Sequence, residues 1–333
     1  MRQPRDAILV AGSANLDFVV RAHHVPAPGE TVLGRELAIV PGGKGANQAV
    51  ACARAGGVAT RMVLALGADA FAPLLEKSLR DAGVVLHIVR VTQSASGVAL
   101  ICLADNAENA ITVAPGANAL LRESDLPPLD GIGYLLLQLE TPLETVTSFA
   151  RAAREQGVKV LLNAAPACAL PAGLLAAIDV LIVNEDELVK VAGRHGAVAE
   201  VLASLDVPCA VVTLGARGCC ATERGTIFLQ PAFKVEPVDT TAAGDTFCGA
   251  LAAALCAGSP LPQALRRASA AAALATTRVG AQSSIPEAQE VEALLRSHAD
   301  GRPGAVDDLA QYCGARSSRS WCDRPPASSS RTR

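Results

Sequence analysis

Short uninterrupted apolar runs alternate with longer segments of helical period along most of this chain. The runs at 8–12, 62–67, 134–139, 158–162, 180–183 and 210–214 include YLLLQL and VLIV. They predict strands covered on both faces, because a strand with one wet face would alternate apolar and polar residues. Between them, apolar positions three and four apart predict helices near 43–56, 70–82, 142–156, 185–205, 246–257, 262–277 and 287–298. Strands alternating with helices predict an α/β fold, a doubly wound, mainly parallel sheet with helices on both faces. Two regions break the alternation. Residues 16–40 and 85–114 hold short β-like stretches and turns such as VPAPGE, which predict a small β-sheet lid over the sheet edge. There is no internal repeat.

Composition narrows the picture. With 333 residues, half of them apolar, the chain has ample material for a core and is too apolar for a disordered polymer. Mean hydropathy is +0.32, yet no apolar run reaches the roughly 18–20 residues of a membrane span. The hydropathy comes from 65 alanines, which predict close-packed helices. A net charge of −3, from 29 basic and 32 acidic side chains, argues against a general nucleic-acid binder. The ten cysteines form no C-x-x-C pair and most sit in apolar segments, as small hydrophobes. Adjacent Cys219 and Cys220 lie in a strand-like context that favours packing over redox chemistry. The N-terminus shows no signal peptide, and a reducing cytoplasm is the expected location. Residues 301–333 carry six Arg and three Asp among Ser, Pro and Gly, without apolar period. They predict a disordered tail behind one domain over 1–300.

Two motifs carry chemistry. In PGGKGANQA, at 41–49, paired glycines precede a helix start and let the backbone approach a ligand closely; Lys44 and Asn47 add a cation and a two-sided hydrogen bonder. The spacing fits neither a Walker loop nor a dinucleotide fingerprint. In VDTTAAGDTFCGA, at 238–250, Ala242, Ala243 and Gly244 are small enough for backbone amides to converge on an anion at a helix N-terminus. Asp245 at its mouth could accept a proton from an attacking hydroxyl. Taken singly, each motif also reads as a structural turn with a helix cap.

Together the two motifs resemble the signatures of the ribokinase/PfkB family of sugar kinases. The resemblance continues through GSANLD, PGETVLG, GVALI, PGAN, QLETPLE, NAAPA, VNEDE, TLGARG and RVGAQSSIP, in order, over about 6–286. It implies ATP-dependent phosphorylation of D-ribose at O5; a kinase for 2-deoxyribose, a fructose-type sugar or adenosine is the alternative, and a non-catalytic sugar binder a remoter one. It implies sugar contacts from Asn15, Asp17, Gly43, Lys44, Asn47 and Glu140, with Asp245 as general base and Ala242–Gly244 as anion hole. Asn184, Thr213, Gly215, Gly218, Gly244 and Ser269 would face ATP, and Glu187 would act on Mg²⁺ through water. Ala216 and Ser269 depart from the residues usual in the family. Asp239, Thr241, Ala275, Arg278, Gly280 and Ser284 would cage an activating K⁺, mostly through backbone carbonyls. A homodimer paired through the β lid is also implied, and the 1–300 segment becomes a kinase domain.

Overall fold

A computed structural model describes residues 5–106, 108–298 and 304–315. Its large sheet has nine strands. They are β1 (Ala7–Ala11), β4 (Thr60–Gly67), β5 (Val85–Val91), β8 (Ile132–Leu137), β9 (Lys159–Asn163), β10 (Val180–Asn184), β11 (Cys209–Thr213), β12 (Gly218–Glu223) and β13 (Thr226–Pro231), in the order β13-β12-β11-β10-β9-β8-β1-β4-β5. Every pairing from β11 to β5 is parallel, while β12 runs antiparallel to both β11 and β13 at the other edge. The central strands are buried along their length, as the unbroken runs predict.

Two helical layers cover the sheet. One holds α1 (Lys44–Ala53), α2 (Ala72–Asp81), α7 (Ala243–Cys256), α8 (Leu261–Ala275) and α9 (Ala288–Ser297). The other holds α3 (Leu143–Glu155), α4 (Ala172–Leu175), α5 (Glu185–Ala192) and α6 (Val198–Ala203), together with α10 (Ala305–Cys313). Alanine lets the first layer pack closely. Ala264, Ala268, Ala271 and Ala275 form a fully buried stripe on α8. A Cβ built on Gly249 of α7 would sit 2.5 Å from that of Ala51 on α1, so the two helices nearly touch backbones there.

The smaller sheet is β3 (Glu36–Gly42), β2 (Asn15–Ala22), β6 (Gly97–Ala104) and β7 (Asn109–Ala114), in that order. It corrects one expectation. Residues 85–91 do not belong to the lid but form β5, parallel to β4 at the edge of the large sheet. The reason lies in the alternation of VLHIVRV, where Leu86 and Ile88 pack toward one helical layer and Val89 and Val91 toward the other. The stretch expected as one helix over 185–205 is two, α5 and α6, because Gly193 turns left-handed at φ 64° and ends the first.

The expected disordered tail is corrected as well. Within 301–333 the structure describes 304–315, and α10 there buries Leu309, Ala310 and Cys313 on one face. Spacing of i, i+1 and i+4 is a helical stripe, too short to stand out in a Ser- and Arg-rich context. The rest of 301–333 lies outside the described residues.

Candidate active site

The chain leaves β1 toward β4 on one side and later returns to β8 on the other, so the strand order reverses between β1 and β8. Doubly wound sheets bind ligands in the crevice outside the strand ends at such a point. Three segments meet there: Gly12–Asp17 after β1, the N-terminus of α1, and Gln138–Glu140 after β8. Gly43 caps α1 at φ 89°, and a Cβ on it would lie 2.7 Å from the Asn15 nitrogen, so only glycine fits this turn. Glu140 Oε2 accepts from Ser13 Oγ at 2.6 Å and from the Lys44 backbone N–H at 3.0 Å, which ties the three segments together. Asn15 Oδ1 accepts from Asn118 Nδ2 at 2.8 Å, which leaves the Asn15 amide nitrogen as its donor end.

The other wall is the first turn of α7. Asp245 accepts from Asn47 Nδ2 at its Oδ2 and from Gln48 Nε2 at its Oδ1, each at 2.9 Å. The Gln48 amide cannot be turned round, because its Oε1 accepts from Gln138 Nε2 at 2.7 Å while its Nε2 also reaches Asn163 Oδ1 at 3.0 Å. Asn163 in turn donates to the Ile182 carbonyl of β10 at 3.3 Å. Thus a relay of amides from α1, β8, β9 and β10 fixes one carboxylate on α7.

Beside it, Asp17 Oδ1 and Asn47 Oδ1 are buried acceptors without a donor. A buried acceptor left unpaired costs on the order of 1–3 kcal/mol, so this cleft is built for a ligand that brings hydrogen-bond donors. The electrostatics agree. Burial, then the nearby Glu140 and Asp245 carboxylates, push Asp17 from the ordinary 3.8 to about 7. Lys44 is held above its ordinary value chiefly by Asp245, with Glu140 and Glu187 adding and burial opposing.

On the far side of Lys44, Asn184 and Glu187 form a capping box on α5, with Asn184 Oδ1 accepting from the Glu187 N–H and Glu187 Oε2 from the Asn184 N–H, both at 2.8 Å. Burial raises the Glu187 carboxyl despite that bond and the pull of Lys44. Thr213 ends β11, paired with Asn184 across the sheet. Gly215 and Gly218 bound a single 3-10 turn, with φ 55° and 116°. Ser269 is buried on α8 with its hydroxyl 3.8 Å from Cys219 Sγ, in the seam between α8 and β12. Ala242 sits at the N-cap of α7 in a left-handed conformation, φ 57°, uncommon for a residue with a side chain. The Ala243 N–H is used in the turn, bonded to the Thr240 carbonyl at 3.2 Å, so of the expected anion-hole amides that one is closed. The Gly244 and Asp245 N–H groups remain as first-turn donors without an intrahelical acceptor.

The model of the pfkB family of carbohydrate kinases matches residues 5–288. The chain belongs to the pfkB family of carbohydrate kinases. It is 39% identical to a ribokinase of Haemophilus influenzae, over 86% of this chain and 97% of the relative. A deoxyribokinase of Salmonella typhi is 33% identical over 86% of this chain and 98% of its own. Among solved structures, Arabidopsis thaliana ribokinase complexed with ribose and ATP superposes with a TM-score of 0.80, at 33% identity over 89% of this chain and 99% of that one. The chain is therefore an enzyme, a carbohydrate kinase, and no helix among its described residues is long and apolar enough to cross a membrane.

A kinase of this family uses Mg²⁺ with its nucleotide, and Glu187 fits that need. It is a half-buried carboxylate whose charge is under-compensated, and a single carboxylate suits an ion that keeps several waters and arrives on phosphates. Behind the anion-hole turn, Asp239 accepts from the Thr241 N–H and the Gly280 N–H, each at 2.9 Å. Burial pulls the Asp239 carboxyl up, but bonds from Gly280 and Thr241 outweigh it and hold the group below its ordinary value. Ala275 and Ser284 are both fully buried, and the Ser284 hydroxyl donates to the Ala281 carbonyl at 2.8 Å. Arg278 pairs its guanidinium with Glu290.

Sequence reading missed Gln48, Gln138, Asn163, Ser13 and Asn118. Gln48 lies inside the PGGKGANQA motif beside Asn47, and a second amide next to Asn47 in the first turns of α1 is the available signal.

Asp17 carries a pH dependence. Its folded value lies above the ordinary one, so the stability it contributes is fully present below about pH 4 and is lost as pH rises through about 7. Asp17→Asn should therefore gain stability over the wild type on going from about pH 5 to about pH 8, by on the order of 2 kcal/mol. Thermal unfolding at the two pH values checks this; a difference that does not change with pH would show that Asp17 titrates normally.

Proposed function

We propose that the chain transfers the γ-phosphoryl group of ATP to O5 of D-ribose, giving D-ribose 5-phosphate. The observation that carries this reading is the pair of unpartnered buried acceptors, Asp17 Oδ1 and Asn47 Oδ1, beside the amide-held Asp245. A polyhydroxyl ligand supplies the missing donors, and a carboxylate accepts two vicinal hydroxyls well. Asn15, through its free amide donor, and Gly43, Lys44 and Glu140 complete the sugar pocket. The likeness to a ribokinase complexed with ribose and ATP supports the same substrates here.

In the transfer, O5 attacks the γ-phosphorus, the bond to the ADP oxygen breaks, and the hydroxyl proton passes to Asp245. The two amide donors keep that carboxylate aimed at O5, so little reorganisation is needed at the moment of attack. The Gly244 and Asp245 N–H groups and the α7 dipole face the charge spreading over the phosphoryl oxygens, and the Ala242–Ala243 turn holds them there. Lys44 lies between Asp245 and Glu187 in charge terms, attracted by both. Glu187 and Asn184 would hold Mg²⁺, which would supply charge neutralisation to the phosphates. Thr213, Gly215, Gly218 and Ser269 would face the nucleotide. Asp239, Thr241, Ala275, Arg278, Gly280 and Ser284 would hold K⁺, mostly through backbone carbonyls, and its charge would steady the anion-hole turn from behind.

A 2-deoxyribose kinase is the second reading, supported by the Salmonella typhi relative. The retained Asn15–Asp17 pair favours a sugar with vicinal hydroxyls. The lid also favours a homodimer. The strand register puts Leu37, Ile39 and Leu100 on one face, at 61%, 49% and 56% exposure. An apolar sheet face of this kind invites a partner.

A coupled ADP-release assay with ribose, deoxyribose, fructose and adenosine decides the substrate, ribose being the preferred one. Asp245→Asn should lower kcat at least about 100-fold while sparing ribose binding; near-normal turnover would remove Asp245 from the role of base. Exchanging K⁺ for Na⁺ or Tris should reduce the rate, and indifference would refute the cation site. Sedimentation should give a dimer for the wild type and a monomer for Leu37→Asp/Leu100→Asp; a monomeric wild type would overturn the lid contact.

A further inference from the structure

We propose that the C-terminal helix α10 braces the nucleotide end of the cleft through Tyr312, a positioning residue for ATP. The proposal rests on the nucleotide placement argued under the proposed function, and it concerns residues outside the 5–288 span that matches the family. The helix is held by its apolar face. Leu309, Ala310 and Cys313 are buried, Cys313 against the buried thiol of Cys220 on β12. That anchorage leaves Tyr312 at the surface, 42% exposed, with both of its binding features engaged.

Its hydroxyl donates to Glu185 Oε1 at 2.5 Å, and the Arg217 guanidinium carbon lies 4.1 Å from its ring centroid. These partners come from the two loops that would face the nucleotide. Glu185 stands between Asn184 and Glu187 at the start of α5. Arg217 stands between Gly215 and Gly218 in the 3-10 turn after β11. One side chain thus ties the start of α5 to the turn after β11, just beyond the point where β10 and β11 pair at Asn184 and Thr213.

The turn at 215–217 is exposed, begins with a glycine and is followed by another, so holding it in one conformation costs chain entropy that a nucleotide would otherwise have to meet on binding. A stacked Arg217 and a bonded Glu185 meet part of that cost beforehand, which is preorganisation. A helix that merely covered apolar surface would need Leu309, Ala310 and Cys313 but would have no use for a tyrosine reaching two loops.

The test uses the full chain with Tyr312→Ala and Tyr312→Phe. ATP affinity is measured by titration calorimetry without sugar, alongside KM for ATP and for ribose and the unfolding temperature. Tyr312→Ala should weaken ATP binding about three- to tenfold, the worth of a surface cation–π contact and one hydrogen bond, and leave the ribose KM unchanged. Tyr312→Phe keeps the ring under Arg217 and should recover part of the loss. An unchanged ATP affinity in Tyr312→Ala, or equal shifts for ATP and ribose, would overturn the brace. A wild type that binds ATP but phosphorylates no ribose would defeat the sugar assignment alone, since the calorimetric comparison still reads the brace.

Discussion

The structure depends on the two amide hydrogen bonds that hold the Asp245 carboxylate. Asn47 and Gln48 are consecutive on α1, and both reach one side chain on α7, so the two helices must lie in one fixed rotation and at one spacing. The small residues where α1 meets α7, Ala51 and Gly249, permit that spacing. The alanine excess is therefore tied to the chemistry, because bulkier side chains at this seam would lift Asp245 off its donors. The relay then runs through Gln138 and Asn163 to the sheet, so the reversal point of the strand order and the position of the Asp245 carboxylate are set by one network.

Charge is arranged around the same group. Asp17, Glu140 and Asp245 are three carboxylates near one cleft, with Lys44 the cation that answers them. The imbalance falls on Asp17, the most deeply desolvated, which carries the raised pKa. A ligand whose hydroxyls donate to Asp17 favours its ionised form, so sugar binding and proton release are coupled there. The cleft holds electrostatic strain in the free protein that its substrate relieves.

Much of this was legible beforehand, and the exceptions share a cause. Buried parallel strands and long apolar or amphipathic helices stand out in sequence, so the expected β1, β4, β8–β11, α7 and α8 fall within a few residues of the observed ones. A period-2 segment says it is a strand but not which sheet it joins, hence the misplaced β5. A nine-residue amphipathic helix in a polar context, α10, carries too few apolar positions to rise above its surroundings. In the site, charged residues within glycine-rich motifs stood out, whereas Gln48, Gln138 and Asn163 did not. A neutral amide gains meaning only from its partners, and these lie 90 and 115 residues away along the chain.

The two ends of the cleft are held by different means. The end that holds Asp17, Asn47 and Asp245 is fixed by buried polar bonds, where a lost partner leaves an orphan in low dielectric. The other end, which under the proposed function meets the nucleotide, is made of the exposed Gly215–Gly218 turn and the α5 cap, where single contacts are worth less because water competes for them. A rigid acceptor pocket beside a compliant donor loop suits a reaction in which the sugar is read by its hydroxyl pattern while the nucleotide must enter and leave at every turnover. Contacts added from outside the family span, such as those of α10, can stiffen the second end without disturbing the first.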